Sequence, residues 1–408
     1  MKSESNSVPG PLPRVELIPL RPGVSATRPL PVEVLLRVHT PDLEVRPDRP
    51  LLNLALVLDR SGSMSGHKLD YAKEAAAYAV NNLLAEDRVA VVTYDDAVQV
   101  LVPSTPAKER AAIAERIRGI RPGGSTALHA GWLEGATQVA AFQEAGRLNR
   151  VVLLSDGLAN QGETNPTVIA EQVRELARRG VSTSTLGVGL NYNEDLMAAM
   201  ADAGEGNYYF IESPADLPRI FVQELSGLAR TLGTRVRLRL TPAPGGAARL
   251  LNDLEQDPSG AYVLPNLVAG TTLELLLRLE AASLRLELGW EAPGGQTGSL
   301  EASLHLPALK DAELEGLPTH PEVAAMAAKL EATRARQQAM EALFRGDLEQ
   351  AREFIQRAAP RVAEYRASLA EEAKELEEIL QQIEHWPERT RKTLSSQVFR
   401  NRKGGKAF

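Results

Sequence analysis

Cysteine is absent from this chain of 408 residues, which excludes disulfides, thiolate zinc sites and cysteine nucleophiles. The same lack fits a reducing compartment. No run of about 18 apolar residues occurs, so no membrane span is expected. Met1-Lys2-Ser3-Glu4-Ser5-Asn6-Ser7-Val8-Pro9-Gly10 has no apolar stretch behind it that would read as a secretory signal. Positive charge is not in excess: the formal net charge is -7, which argues against a dominant role on nucleic acid or anionic membrane. The six histidines form no spaced pair on one face, so a zinc site finds no support. What remains is the expectation of a cytoplasmic protein, long enough for two or three domains and a substantial core.

Four textures follow one another. Residues 1–13 are polar and proline-rich and read as a flexible end. Residues 14–47 alternate as strands do, with Val32, Val34, Leu36 and Val38 on one face and Glu33 and Arg37 on the other. From Leu51 the period changes. Leu51 to Leu58 is a nearly continuous apolar run, as in a central parallel strand covered on both faces. Behind it comes a helical stripe of Leu69, Ala72, Ala76, Val80 and Leu83. Strands and helices then alternate to about residue 230, ending in a helix over 214–229 with Ser213 as N-cap and Pro214 at its first position. Such alternation means a Rossmann-like open, mostly parallel α/β sheet over 48–230.

Residues 231–308 return to alternation, for example Leu273/Leu275/Leu277/Leu279 and Leu284/Leu286/Leu288/Trp290, with Gly- and Pro-rich turns between. This reads as an antiparallel sheet with one solvated face, most simply a β-sandwich. The strands of 14–47 need partners, because a lone hairpin is marginal in water. Pairing them with 231–308 makes the α/β domain an insertion into an antiparallel β-sandwich. Residues 318–386 are helical in pattern, three helices at most, with Pro360 interrupting or ending the second. Residues 387–408 form a basic tail of Arg389, Arg391, Lys392, Arg400, Arg402, Lys403 and Lys406, with Phe399 and Phe408 among them. It reads as a solvated end. It is also the one segment that could engage nucleic acid or an acidic partner.

Three loops carry chemistry. Asp59, Ser61 and Ser63 follow the strand Leu51–Leu58 in Asp59-Arg60-Ser61-Gly62-Ser63, at the carboxyl end where α/β sheets bind ligands. Alternate residues of a tight turn can aim one carboxylate and two hydroxyls at one point. All are hard oxygen donors suited to Mg²⁺ or Mn²⁺. Gly123-Gly124-Ser125-Thr126 adds a hydroxyl, and Ser155-Asp156-Gly157 adds a second carboxylate. Taken alone, the first loop reads as a helix N-cap turn; the three together do not. In this order and spacing they resemble a von Willebrand factor A domain over roughly residues 50–230. The likeness is to stand-alone bacterial members with a β-sandwich and helical tail, and the middle block is similar also to inter-α-trypsin inhibitor heavy chains.

The resemblance implies that Asp59, Ser61, Ser63, Thr126 and Asp156 form a metal-ion-dependent adhesion site for Mg²⁺ (or Mn²⁺ or Ca²⁺). It implies binding rather than catalysis: the metal keeps an open position that a partner's acidic side chain fills. If Asp156 acts through a water, the first shell stays net positive and attracts that carboxylate. In relatives, closing on the ligand can shift the last helix, here 214–229. Bacterial proteins of this kind often work beside ATPases, kinases or phosphatases, so the expected role is that of adaptor or assembly factor. Ser65-Gly66-His67-Lys68 stands where an acidic pair would mark a second, calcium-regulated position, which puts that position in doubt.

Two rival classes are carried forward: a metal-dependent hydrolase, and a metal-independent structural scaffold. A nucleophilic Ser61 or Ser63 needs a base within reach, and only His67 and His129 lie near in sequence. Gly187-Val188-Gly189 is a weak echo of a dinucleotide loop lacking its third glycine and reads as a strand-end turn. Asp95-Asp96 reads as the turn of a hairpin.

Overall fold

A computed structural model describes residues 12–28, 30–42, 49–144, 146–293 and 295–404. Residues 1–11 of the flexible-end reading, 43–47 of the first strand block, Gly294, and Lys406 and Phe408 of the tail lie outside the described residues. In chain order the first strands are β1 (Arg14–Pro19), β2 (Val24–Ser25) and β3 (Val32–His39). The α/β block follows: β4 (Leu51–Asp59), α1 (His67–Asn81), β5 (Arg88–Tyr94), β6 (Val98–Pro106), α2 (Arg110–Arg118) and α3 (Leu128–Ala140). It continues through β7 (Arg147–Ser155), α4 (Pro166–Arg178), β8 (Val181–Val188), α5 (Glu194–Ala203), β9 (Glu205–Ile211) and α6 (Leu217–Ala229).

The remaining strands are β10 (Thr231–Pro242), β11 (Ala247–Leu250), β12 (Tyr262–Val263), β13 (Leu267–Val268), β14 (Thr272–Glu280), β15 (Ser283–Glu291), β16 (Thr297–His305) and β17 (Ala308–Leu309). The chain ends in helices α7 (Asp311–Gly316), α8 (Pro321–Phe344), α9 (Leu348–Ala363), α10 (Ala370–Gln382) and α11 (Pro387–Arg402). Two compact units result. One gathers residues of 45–232 with 293–295; the other gathers residues of 1–44, 233–292 and 296–407.

In the α/β unit the sheet order is β6-β5-β4-β7-β8-β9, all parallel except the β5–β6 pair. The apolar run of β4 is buried on both sides, as a central parallel strand must be. Leu52, Leu54, Leu56 and Leu58 share one core with Ala72, Ala76 and Val80 of α1, Ile113 and Ile117 of α2, and Phe221 and Leu228 of α6. Ala55 and Val57 face the other way, toward α3, where a Cβ on Gly135 would stand 2.3 Å from Val57 Cγ2. A residue without a side chain lets that helix settle onto the sheet. Ser213 does not cap the last helix through its side chain: a single 3-10 turn, Pro214–Asp216, intervenes, and α6 begins at Leu217.

In the other unit β3 pairs antiparallel with both β1 and β14, so strands before and after the α/β block share one sheet, β1-β3-β14-β11. A second sheet runs β12-β10-β15-β16, with β13 also on β10. The fold is therefore a Rossmann-like domain inserted into an antiparallel β-sandwich, followed by helices. The first sheet does not leave one face to solvent as expected. Leu35 and Leu276, on the face opposite Val34 and Leu277, pack against Val323, Met326 and Leu330 of α8.

Two helical readings need correction. Pro360 lies inside α9, which Asp347 caps by accepting the Gln350 N–H at 2.9 Å. Its missing N–H falls in the last turn, so one bond is lost and the helix still runs to Ala363. The basic tail is not a solvated end over 387–402 but helix α11, with Leu394 in the core alongside Leu376 and Ile379 of α10 and Phe399 also buried. One of its charges is used internally: Arg400 Nη2 donates to Glu375 Oε1 of α10 at 2.7 Å, and the buried Arg336 of α8 pairs with Glu372 of the same helix.

Candidate metal centre

Parallel pairing fixes where the three loops meet. Asp59 ends β4 opposite Tyr94 of β5, Leu58 lies opposite Leu154 of β7, and Ser155 lies opposite Gly187 of β8. The carboxyl ends of all four strands thus stand at one edge of the sheet. Backbone hydrogen bonds lace the loops there. Gly62 N–H donates to the Gly124 carbonyl at 2.8 Å, Gly123 N–H to Arg60 at 2.7 Å, and Ala127 N–H to Asp95 at 2.7 Å. Asn160 Oδ1 accepts from the Thr126 N–H at 3.1 Å and from Ser125 Oγ at 2.8 Å, tying the Thr126 loop to the one after β7.

The Asp95-Asp96 turn does more than join β5 to β6. A Cβ on Gly123 would fall 1.7 Å from Asp95 Oδ2, so only glycine passes there. Arg60 of the first loop reaches the same carboxylate at 3.1 Å.

The expected site residues come together. Asp59 Oδ1 accepts from the Ser61 N–H at 2.8 Å and its Oδ2 from Ser155 Oγ at 2.7 Å. Ser61 Oγ and Ser63 Oγ are 3.2 Å apart, and Ser63 Oγ donates to Asp156 Oδ1 at 2.7 Å. A Cβ placed on Gly157 would stand 3.2 Å from Thr126 Oγ1 and 3.5 Å from Ser63 Oγ, so both hydroxyls lie close to the residue that follows Asp156. Asp59, Ser61, Thr126 and Asp156 are buried while Ser63 is exposed, so the cluster opens to solvent on one side. Met64, fully buried in the core, anchors the 3-10 turn that presents these side chains.

Charge is unevenly compensated in this cluster. Burial, offset by the hydrogen bonds from Ser61 and Ser155 and reinforced by the Asp156 charge, pushes the Asp59 carboxyl above its usual range. Among the described residues the hydrogen-bond partners of Asp59 are neutral donors. Burial and the nearby Asp59 also push the Tyr94 phenol well up; its hydroxyl donates to the Leu154 carbonyl at 3.1 Å. A buried carboxylate held by neutral groups is costly unless a cation joins it. The neighbouring oxygens are all hard donors, a set that fits a small divalent ion.

Among the described residues no group of three or more His, Cys, Asp or Glu side chains is placed to hold a metal ion; the cluster offers two carboxylates and hydroxyls instead. The residues 53–223 match the family model of the von Willebrand factor type A domain. This stretch is a von Willebrand factor type A domain.

Similar chains place the domain more widely. Protein sll0103 of Synechocystis sp. is 29% identical over 243 residues, 59% of this chain and 54% of its own length. Protein YfbK of Escherichia coli is 34% identical over 195 residues, 47% of this chain and 34% of its own. Inter-alpha-trypsin inhibitor heavy chain H3 of Homo sapiens is 31% identical over 176 residues, 40% of this chain and 20% of its own. The chain thus spans about half the length of the first relative and a smaller share of the other two. In structure, a von Willebrand factor type A protein from Catenulispora acidiphila matches with a TM-score of 0.74 at 20% identity, over 93% of this chain and 91% of its own. The ArnB paralog VWA2 from Sulfolobus acidocaldarius matches with a TM-score of 0.65 at 15% identity, over 97% of this chain and 100% of its own. These two share the fold well beyond the type A domain.

Several participants escaped the sequence reading. Lys68, seen there only as part of a departure from an acidic pair, forms an ion pair with Asp156 Oδ2. Ser155 holds Asp59, and Asn160 clamps the Thr126 loop. The histidines stand apart from the serines: His67 is exposed at the start of α1, and His129 Nε2 meets Gln172 Oε1 at 2.6 Å. Gly187-Val188-Gly189 closes β8, and Gly189 lies beside Lys68.

Proposed function

We propose that Asp59, Ser61, Ser63, Thr126 and Asp156 of the type A domain hold one divalent cation, Mg²⁺ in the first instance, with Mn²⁺ or Ca²⁺ as substitutes. The protein then works as an adaptor or assembly factor: the cation's open position takes an acidic side chain of a protein partner. Domains of this type are generally interaction modules. The observation that carries the reading is the burial of Asp59 at 0% exposure with neutral partners, next to three hydroxyls and a second carboxylate. A carboxylate buried in this way gains from a divalent cation beside it. Ser61 and Ser63 bond to each other, and Ser63 to Asp156; neither is paired with a histidine among the described residues, so nothing prepares a serine nucleophile.

The working place we infer is the cytoplasm, in keeping with the cysteine-free sequence; among the described residues no helix is long and apolar enough to cross a membrane. A pull-down from native extract with Mg²⁺, with EDTA and with Asp59→Ala tests the whole. The adaptor reading expects partners in the first arm only, an intact fold in all three and no turnover. Partners retained throughout would mean a metal-independent scaffold, and turnover that dies with EDTA would mean a hydrolase.

A further inference from the structure

Both oxygens of Asp156, a fully buried carboxylate, are engaged. Oδ1 accepts the Ser63 hydroxyl at 2.7 Å, and Oδ2 pairs with the ammonium of Lys68. Lys68 sits in the first turn of α1, five residues past Ser63, and its Nζ also stands 3.4 Å from the Ser63 carbonyl. The stem reaches from α1 toward the loop after β8. A Cβ on Gly189 would be 3.6 Å from Lys68 Cε and 3.7 Å from Nζ, and Gly189 has φ +75, a conformation that favours glycine. The lysine side chain remains 27% exposed, so the ammonium faces both the cluster and solvent.

Charge then decides what the ammonium does. Asp59 and Asp156 together carry two negative charges and Lys68 one positive, leaving the cluster at minus one; a divalent ion brings it to plus one. Without the lysine the loaded cluster would be neutral. The ammonium therefore opposes the incoming cation, as like charges do over a few ångströms of low dielectric. It also favours any anion that arrives afterwards, and it has a hydrogen left to give after Asp156 and the Ser63 carbonyl.

We propose that Lys68 is a built-in counter-charge that lowers the site's affinity for its divalent cation and keeps the loaded site net positive, so that it selects a carboxylate ligand. This rests on the metal reading above and names the regulation of that same site. The test uses the full chain and Mn²⁺ as probe. Free Mn²⁺ is followed by electron paramagnetic resonance, and acetate is titrated into the Mn²⁺-loaded protein while water-proton relaxation reports the metal's bound water. Lys68→Gln should bind Mn²⁺ about tenfold more tightly and acetate about tenfold more weakly, the scale of groups that contact metal ligands. Lys68→Arg, which keeps the charge, should stay near wild type in both.

Opposite movement of the two affinities is a result that a merely structural lysine would not give. Either affinity unchanged in Lys68→Gln, or both falling together, overturns the proposal while leaving the metal site standing. A wild-type chain that takes up no Mn²⁺ overturns the metal reading and this inference with it. Circular dichroism of each variant in EDTA establishes that both are folded.

Discussion

Glu224→Ala removes the carboxylate that joins the last helix of the α/β unit to three strands. Glu224 of α6 is 3% exposed. Its Oε1 accepts from Ser184 Oγ of β8 at 2.6 Å and from Arg150 Nη1 of β7 at 3.0 Å; its Oε2 accepts from Asn207 Nδ2 at 2.9 Å and Tyr209 OH at 2.8 Å, both on β9. Alanine leaves Arg150, itself 3% exposed, as a buried charge without its carboxylate. Breaking a buried pair from one side costs about 3–5 kcal/mol. In a domain of this size each kcal/mol lowers Tm by about 2–4 °C, so the expected fall is about 6–20 °C. Urea unfolding of wild type, Glu224→Ala, Arg150→Met and the double variant gives the cycle, and the pair should return a coupling of about 1–3 kcal/mol. A Glu224→Ala variant within about 1 kcal/mol of wild type, or a coupling near zero, would mean that this ion pair does not hold α6 to the sheet. Amide exchange in α6 should quicken in the same variant, because this network sets the helix's place on the sheet.

Other consequences follow from single contacts. Gly123→Ala drives a methyl into Asp95 and should cost about 1–3 kcal/mol, read by thermal melting, along with weaker Mn²⁺ uptake. In EDTA, the raised Asp59 carboxyl binds its proton more tightly folded than unfolded; its contribution is present below the ordinary value of 3.8 and is lost as pH rises through the raised one. Asp59→Asn should therefore gain on wild type in urea melts as pH climbs from the carboxylate range to 7, and parallel profiles would count against this. Cutting the chain before Pro387 removes Leu394 from the core of the helices together with the buried Phe399, each worth about 1.5–3 kcal/mol. The shortened chain should melt earlier and bind an apolar dye, whereas a dispensable tail would leave both unchanged.

Much of the α/β block was legible because its signals are local. The run Leu51–Leu58 ending in Asp59 announces a central parallel strand and a ligand-bearing loop together, and Thr126 and Asp156 sit at loops of the same kind. What stayed hidden depends on contacts between distant residues. Lys68 looks like an ordinary helix lysine until the loop after β8 is seen beside it. Arg150 and Glu224 are 74 residues apart and carry no mark of being a pair. Helix α11 has few apolar positions, and it reads as a solvated tail because Glu375, the acidic partner of its Arg400, lies on another helix. Leu35 breaks the alternation of its strand, a small sign that the second face of that sheet is covered; α8 covers it.

On the proposed function, the Asp59 cluster takes up a divalent ion and then a partner's carboxylate. The most direct measurement is Mg²⁺ and Mn²⁺ titration of the full chain by isothermal calorimetry, wild type against Asp59→Ala. Wild type should take up one cation per chain and the variant none, with both chains folded in EDTA. Equal uptake by the two chains, or none by wild type, would contradict it.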